Sequence, residues 1–387
     1  MKYTKNSPKN VPFFSPEILN EDKQKMLKIL DSKILTNGPI VEKFENSFKK
    51  FTNSKNAIAV SNATSALHLS LMGLGIGKND EVIVPNLTFL ATANSVLMTG
   101  ATPVLADVAF SDYNIDVNSL EKSITKKTKA IIPVHFAGKA CNMDKIVKVA
   151  KKNDLKIIED CAHAIGTTFK KKHVGTFGQS GCFSFYPTKN ITTLEGGMII
   201  TQSKNLAEIV KITRNHGIDR TLKQRYSIGK PWEYDIKYPG YNYRMDEIRA
   251  SLGMNQLKRI SKINSLRRKS FQYYIKKLSN IDGIILPSQV NLKEHACHLF
   301  VISIDKSKFG LDRNRIHEKL LKKGIYTSIH YKPLHLFTLF KKKSKIYDKL
   351  TNSSKLYDEI LSLPFYTSMS KSEQNIVINE LKNLGSN

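Results

Sequence analysis

Gly181-Cys182-Phe183-Ser184-Phe185-Tyr186-Pro187-Thr188-Lys189-Asn190-Ile191-Thr192-Thr193-Leu194-Glu195-Gly196-Gly197 is the stretch on which the reading of this chain turns. The apolar run Cys182 to Tyr186 reads as a buried strand, and Pro187 ends it. Lys189 follows, in a turn between that proline and Gly196-Gly197. A lysine pressed against an apolar wall has its charged form disfavoured, so its pKa falls and its amine becomes a usable nucleophile. Such an amine can form a Schiff base with an aldehyde. On this segment alone a second reading stays open, that of a strand-end lysine reaching into water.

Upstream, Leu155-Lys156-Ile157-Ile158-Glu159-Asp160 is an apolar strand ending in two acids, followed by Cys161-Ala162-His163-Ala164-Ile165-Gly166. Ligands of α/β folds sit beyond the carboxyl ends of strands, which is where Asp160 falls. A carboxylate there can keep a pyridine nitrogen protonated, or it can cap a following helix. Glu159 points to the other side of the strand. Farther back, Ala57 to Val60 reads as a buried strand, and Ser61-Asn62-Ala63-Thr64-Ser65 opens a helix over Ala66 to Met72. Free N–H groups at a helix start, with small hydroxyl side chains and no acid, suit a phosphate dianion, although Ser and Thr are also ordinary caps. Ser184 can add a hydroxyl. Phe89, just past the strand Glu81 to Pro85, either lies flat on an aromatic ligand or packs in the core.

Strand-like runs alternate with helical ones along the first two thirds of the chain: Ala57 to Val60, Glu81 to Pro85, Thr102 to Val108, Ala130 to His135, Lys156 to Asp160, Cys182 to Tyr186 and Met198 to Thr201. Val41, Phe44, Phe48 and Phe51 recur at helical spacing ahead of them. This pattern predicts a mostly parallel α/β sheet with helices on both faces, in a large domain over 1–255. Past Gln256 the pattern predicts a long helix from Leu257 towards Leu278, a strand from His298 to Ile304, a helix over Asn314 to Lys323 and a strand over Tyr326 to Tyr331. Ser370 and Glu373 mark a capping box before a last helix reaching Leu384. These elements predict a smaller α+β domain over 256–387. The polar stretch Arg220 to Lys230, next to the sole tryptophan Trp232, is read as a mobile loop near the site entrance.

Together these pieces resemble the DegT/DnrJ/StrS family of nucleotide-sugar aminotransferases, which use pyridoxal 5′-phosphate. The resemblance runs from Thr36-Asn37-Gly38-Pro39 to Leu363-Pro364-Phe365-Tyr366. Its most specific parts are Ser184 to Asn190 with Glu195-Gly196-Gly197, Glu159 to Gly166, and Pro239-Gly240-Tyr241-Asn242-Tyr243-Arg244-Met245. Pro133-Val134-His135 and Ile329 to His335 add support. The resemblance implies the fold-type-I, aspartate aminotransferase-like α/β architecture. It implies that Lys189 binds the cofactor's aldehyde and shuttles the proton, and that Asp160 pairs with the pyridine nitrogen. Phe89 would stack on one ring face with His163 close by. Ala63, Thr64 and Ser184 would hold the phosphate. Asn242 would reach the phosphate of the neighbouring subunit's site in a homodimer with shared active sites. His330 and Tyr331 would line the substrate side, with a strand end packed in the small domain as the alternative for both.

The family comparison also implies a reaction. An amino group passes from L-glutamate, by way of pyridoxamine phosphate, to a nucleotide-linked keto sugar. Relatives that replace the lysine by histidine are sugar dehydratases, so Lys189 favours transamination. Loops ending in Glu-Gly-Gly go with amination at C4 and loops with Asp in place of that Glu with C3, so Glu195-Gly196-Gly197 points to C4 of a 4-keto-6-deoxy sugar, with C3 as the alternative. Leu194 stands where many members have glycine, and Cys161 where many have alanine.

The 387-residue chain carries 61 basic and 33 acidic residues, a net charge of +28. Such a balance can signal nucleic-acid or anionic-surface binding, and a non-catalytic basic binding protein on the same fold is the reading from a different class. The lysines are nevertheless spread along polar helix faces, and basic runs such as Lys341-Lys342-Lys343 are short, so they read as solvated surface that still attracts a diphosphate-bearing substrate. No apolar run is long enough for a membrane span, and the first ten residues lack the apolar core of a signal peptide. Cys141, Cys161, Cys182 and Cys297 match neither a disulfide framework nor a zinc site, and no metal is expected. Free thiols suit the reducing cytoplasm.

Overall fold

The structure is a computed structural model and describes residues 10–36, 38–220, 224, 227, 229–230, 232–287 and 291–385. Asn37 of the Thr36–Pro39 motif and much of the Arg220–Lys230 stretch lie outside the described residues. Seven strands form the main sheet: β1 (Asn56–Val60), β2 (Glu81–Pro85), β3 (Thr102–Ala106), β4 (Thr128–Ile131), β5 (Lys156–Asp160), β8 (Ser180–Ser184) and β9 (Gly197–Thr201). The short strands β6 (Thr168–Phe169) and β7 (Lys172–His173) make a separate hairpin. The sheet order is β1-β9-β8-β5-β4-β2-β3. The run β3-β2-β4-β5-β8 is parallel, and β9 runs antiparallel to both β8 and β1. This is the mostly parallel α/β sheet expected from the alternation. The strands read as near-continuous apolar runs because both faces are covered. Val82, Val84, Ile158 and Cys182 pack into one core, while Ile83, Val104, Ile131 and Ile157 pack into another.

Several expected boundaries shift. The Thr102–Val108 strand ends at Ala106, the Ala130–His135 strand spans Thr128–Ile131, and the Cys182–Tyr186 strand spans Ser180–Ser184. The helix expected from Ala66 begins at Ala63, because the Asn62 side chain accepts the Ser65 N–H at 2.8 Å and so acts as its cap.

A second sheet, antiparallel throughout, is built from β10 (Ile284–Ile285), β11 (Phe300–Ile304) and β12 (Ile360–Leu363) in that order. The helices Ile260–Leu278 and Lys371–Gly385 pack on it through Phe271, Tyr274, Val377 and Leu381. The expected capping box is present: Ser370 Oγ accepts the Glu373 N–H at 3.1 Å and Glu373 Oε2 accepts the Ser370 N–H at 2.7 Å. The strand expected over Tyr326–Tyr331 does not form. β12 occupies the place beside β11, so this segment touches only the outer edge of β12 at Ser328 and pairs Ile325 with Val11. It then turns towards the main sheet, where Leu334 N donates to Asn86 O at 2.8 Å.

Two buried carboxylates fasten the backbone around the site. Glu247 accepts from the N–H groups of Gly38, Ile40 and Val41 at 2.8–3.0 Å and so closes the start of the helix Pro39–Thr52. A Cβ on Gly38 would lie 2.7 Å from that carboxylate, which accounts for the glycine. Glu159, on the face of β5 opposite Asp160, accepts from Gly175, Phe177 and Gly178 N–H at 2.7–2.9 Å and from His135 Nε2 at 3.1 Å. Leu194, in the turn between β8 and β9, has φ of +66°, the left-handed region that glycine favours. This explains why a glycine suits the position that Leu194 holds here.

Removing the Glu159 carboxylate strands three N–H donors, that of Gly175 buried and those of Phe177 and Gly178 partly so. Glu159→Ala is expected to cost about 3 kcal/mol or more, seen as a lower urea midpoint of the cofactor-free protein, whereas Glu159→Gln should lose less because its amide oxygen still accepts.

Candidate active site

Parallel pairing places Asp160 of β5 beside Cys182 of β8, so the two strands end at one edge of the sheet. The lysine turn leaves β8 there, and the Lys189 N–H donates to Tyr186 O at 2.9 Å. Lys189 is half-buried. Burial of its amine lowers the pKa from the usual lysine range to about 8, and the nearby Asp160 charge works against that fall. Asp160 is buried, and burial raises its pKa. Two hydrogen bonds and the Lys189 charge oppose the rise: Ala162 N–H donates to Oδ1 at 3.1 Å and Thr92 Oγ1 donates to Oδ2 at 2.9 Å. Residues 161–166 form turns rather than a helix, so Asp160 is not a helix cap.

Thr92 was not singled out by the sequence reading. It lies in the first turn of the helix Leu90–Met98, with Thr88 Oγ1 at 2.9 Å from its own hydroxyl. Since Thr92 donates to Asp160, Thr88 donates to Thr92, and a chain of hydroxyls leads to the carboxylate. Two threonines four residues apart straddling Phe89 were the available signal.

Phe89 is 56 % exposed, so it is no core residue, and its ring faces that of Tyr331 at 5.9 Å. His163 is buried and stacks on Tyr331, with rings 6.0 Å apart. Its Nδ1 accepts from Ala137 N–H at 3.4 Å, which leaves the proton on Nε2, 2.9 Å from Tyr331 Oη. Burial and the Lys189 charge hold His163 neutral. His330 stacks on Phe13 at 5.5 Å and bonds Ser362 Oγ at 2.8 Å, and burial drives its pKa down to about 3. The segment that misses a strand therefore brings Tyr331 onto His163.

At the other side of the turn, the helix Ala63–Gly73 starts with Asn62 serving the Ser65 N–H and the Asn62 carbonyl serving the Ala66 N–H. Among the described residues the N–H groups of Ala63 and Thr64 have no protein acceptor. A Cβ on Gly197 would lie 2.5 Å from the Asn62 carbonyl carbon, so glycine lets β9 back directly onto this cradle. Ser184, at the end of β8, is half-buried, with its Oγ 3.4 Å from Tyr186 N. Asn242 is exposed, between Tyr241 and Tyr243, whose rings stack at 4.9 Å. The Tyr243 carbonyl accepts the Ser61 N–H at 2.8 Å, so this segment borders the cradle.

His135, Glu159 and Cys161 bring ligand-type atoms within 4.8 Å of one another. In this arrangement Glu159 and His135 are engaged with protein donors. Both Glu159 oxygens accept N–H donors, and His135 Nδ1 accepts Cys141 N–H at 3.1 Å. Burial also keeps Cys161 a thiol.

A phosphorylated pyridine aldehyde fits these residues. Two free helix-start N–H groups would meet the phosphate, a buried carboxylate the ring nitrogen, and a lysine with a lowered pKa the aldehyde. The model of the DegT/DnrJ/EryC1/StrS aminotransferase family matches residues 16–382. The chain belongs to this family. The expected enzyme class and cofactor stand with it: a sugar aminotransferase working with pyridoxal 5′-phosphate. The aminotransferase is 38% identical over 376 residues to the spore coat polysaccharide biosynthesis protein SpsC of Bacillus subtilis, covering 97% of each chain. Spr1654 of Streptococcus pneumoniae in its PMP form superposes with a TM-score of 0.90 at 31% identity, covering 97% of this chain and 99% of that one. PseC of Helicobacter pylori, an aminotransferase of pseudoaminic acid biosynthesis, superposes with a TM-score of 0.89 at 31% identity, covering 98% and 100%. Among the described residues no helix is long and apolar enough to cross a membrane.

Two outcomes follow. In the cofactor-free protein the capture of an aldehyde by Lys189 should rise with pH through about 8 and level off above it, since the amine is protonated below that value and neutral above it. Absorbance of the imine formed with pyridoxal, against a Lys189→Ala control, measures this. Thr92→Val removes one of the two hydrogen bonds that oppose the rise in the Asp160 pKa, so kcat should fall roughly tenfold while the fold persists, as read by steady-state kinetics beside circular dichroism.

Proposed function

We propose that this aminotransferase moves the amino group of L-glutamate to C4 of a nucleotide-linked 4-keto-6-deoxy sugar, in a homodimer whose copies share their sites. The observation that carries the reading is the Lys189 amine, held near pKa 8 beside Asp160 at the ends of neighbouring strands. Pyridoxal phosphate supplies the electron sink that stabilises negative charge at the reacting carbon. Lys189 Nζ takes a proton from the donor's α-carbon in the first half-reaction and returns one to the sugar carbon in the second. Asp160 keeps a proton on the ring nitrogen. The Ala63 and Thr64 N–H groups, with the Ser184 hydroxyl, bind the phosphate dianion. Phe89 and His163 flank the ring, and His330 and Tyr331, from the 256–387 domain, line the sugar side.

Asn242 serves the phosphate in the neighbouring copy. Its exposure at the cradle's border and the exposed apolar side chains Leu27, Leu30, Ile34 and Leu35 support a second copy docking nearby. Glu195-Gly196-Gly197 supports C4 over C3. The excess of positive charge favours an anionic diphosphate substrate, and the likeness to SpsC supports a sugar destined for polysaccharide synthesis.

L-glutamate is expected to bleach the yellow wild-type enzyme, and not the Lys189→Ala variant. Incubation of the bleached enzyme with a panel of nucleotide keto sugars, followed by NMR of the product, should show nitrogen at C4. Nitrogen at C3 selects the alternative, and failure to consume any keto sugar overturns the nucleotide-sugar reading.

A further inference from the structure

His298 lies just before β11, in the second sheet, and its ring is buried against that of His163 at a centroid distance of 4.5 Å. Three observations show how firmly it is held. Its Nδ1 lies 3.2 Å from Asn190 Oδ1. Asn190 Nδ2 donates to both Asn264 Oδ1 and Ala296 O at 2.8 Å, so the amide cannot turn, and its oxygen must accept. His298 therefore carries its proton on Nδ1, bound to the residue that follows Lys189.

Both histidines also hang on one turn. Ala137, at φ of +53°, gives its N–H to His163 Nδ1 and takes the His298 N–H on its carbonyl at 2.9 Å. Gly138 follows at φ of +95°, where a Cβ would lie 3.1 Å from both the His163 carbonyl oxygen and the His298 nitrogen. Only a glycine lets the two histidine-bearing segments approach this closely with that backbone.

We propose that His298 is a positioning residue of this aminotransferase: its ring backs the imidazole of His163 and holds it, and through it Tyr331, in one orientation and tautomer beside Lys189. The inference rests on the cofactor reading of the site. The physical reason is exclusion of water. With the His298 ring in place, His163 meets only Ala137 N–H on Nδ1 and Tyr331 Oη on Nε2. Without it, water reaches the imidazole, both tautomers become accessible, and Tyr331 loses its fixed partner.

The test uses the pyridoxal phosphate-loaded enzyme labelled with 15N-histidine. Two-bond 1H–15N spectra report the His163 tautomer, assigned through a His163→Gln variant. Wild type should show the Nε2–H form alone. His298→Ala should show a mixture, with kcat lower by about 10- to 100-fold and KM for L-glutamate within about threefold. His298→Phe, which keeps a ring behind His163, should retain the single tautomer and most of kcat. An unchanged tautomer in His298→Ala overturns the proposal, and so does a mixed tautomer with unchanged kcat. Should His298→Ala fail to fold, His298→Asn keeps a donor for Asn190 but removes the ring, and the same outcomes decide. A wild type that shows no cofactor absorbance would instead sink the cofactor reading, independently of the tautomer spectra.

Discussion

A carboxylate buried at the end of β5 is the constraint around which the rest of the site is built. Burial raises the Asp160 pKa, and a neutral acid could not hold a proton on a pyridine nitrogen. Two neutral donors, Ala162 N–H and Thr92 Oγ1, and one cation, Lys189, oppose that tendency. The same field acts on Lys189 in reverse. The amine loses water, which lowers its pKa, yet the carboxylate limits the loss, so that the amine sits near neutrality rather than far below it. Each group makes the other's ionisation tolerable. Parallel register between β5 and β8 is what brings them together, and Glu159, facing the other way from the same strand, ties down the Gly175–Gly178 turn that precedes β8.

This division of labour explains which parts could be read from the sequence. Lys189 and Asp160 each follow a short apolar strand, and the rule that ligands gather at strand ends needs nothing more than that local pattern. The parallel sheet was legible for the same reason, since strands covered on both faces leave continuous apolar runs. Thr92 and His298 were not legible. Thr92 reaches Asp160 across 68 positions of sequence, and His298 meets Asn190 across 108. Their value comes from juxtaposition, and nothing in their immediate neighbours announces it. Tyr326–Tyr331 misled for a different reason. Tyrosine, threonine and isoleucine favour strands, but β12 already holds the position beside β11, so tertiary pairing overrides propensity. The helix expected from Ala66 starts at Ala63 because the Asn62 side chain caps it, a detail of side-chain geometry.

The chain's excess of lysine makes Lys189 stand out by contrast. Most lysines here are exposed, whereas Lys189 is half-buried in a turn after a buried strand, with the Asp160 carboxylate nearby. High net charge is therefore largely a property of the exposed surface, separate from the Lys189 amine.

The second sheet enters the site through buried polar contacts as well as apolar packing. Arg267 is buried, and its guanidinium donates to the carbonyls of Cys297, His298 and Phe365 at 2.6–3.3 Å while its plane lies 4.7 Å from the Phe365 ring. Burial lowers its pKa to about 10, which still leaves it charged at neutral pH. A buried cation satisfied by carbonyl dipoles is costly to break, because truncation leaves three acceptors unpaired at once. That cost fixes the chain direction through Cys297 and His298 before the strand begins. On the other side, the carbonyls of the left-handed Ala137–Gly138 turn accept the N–H groups of His298 and Ala296. Held from both sides, this segment has little freedom to move relative to Lys189. Phe89 and Asn242, by contrast, present exposed side chains. Contacts made by exposed side chains can change without disturbing the Asp160–Lys189 balance.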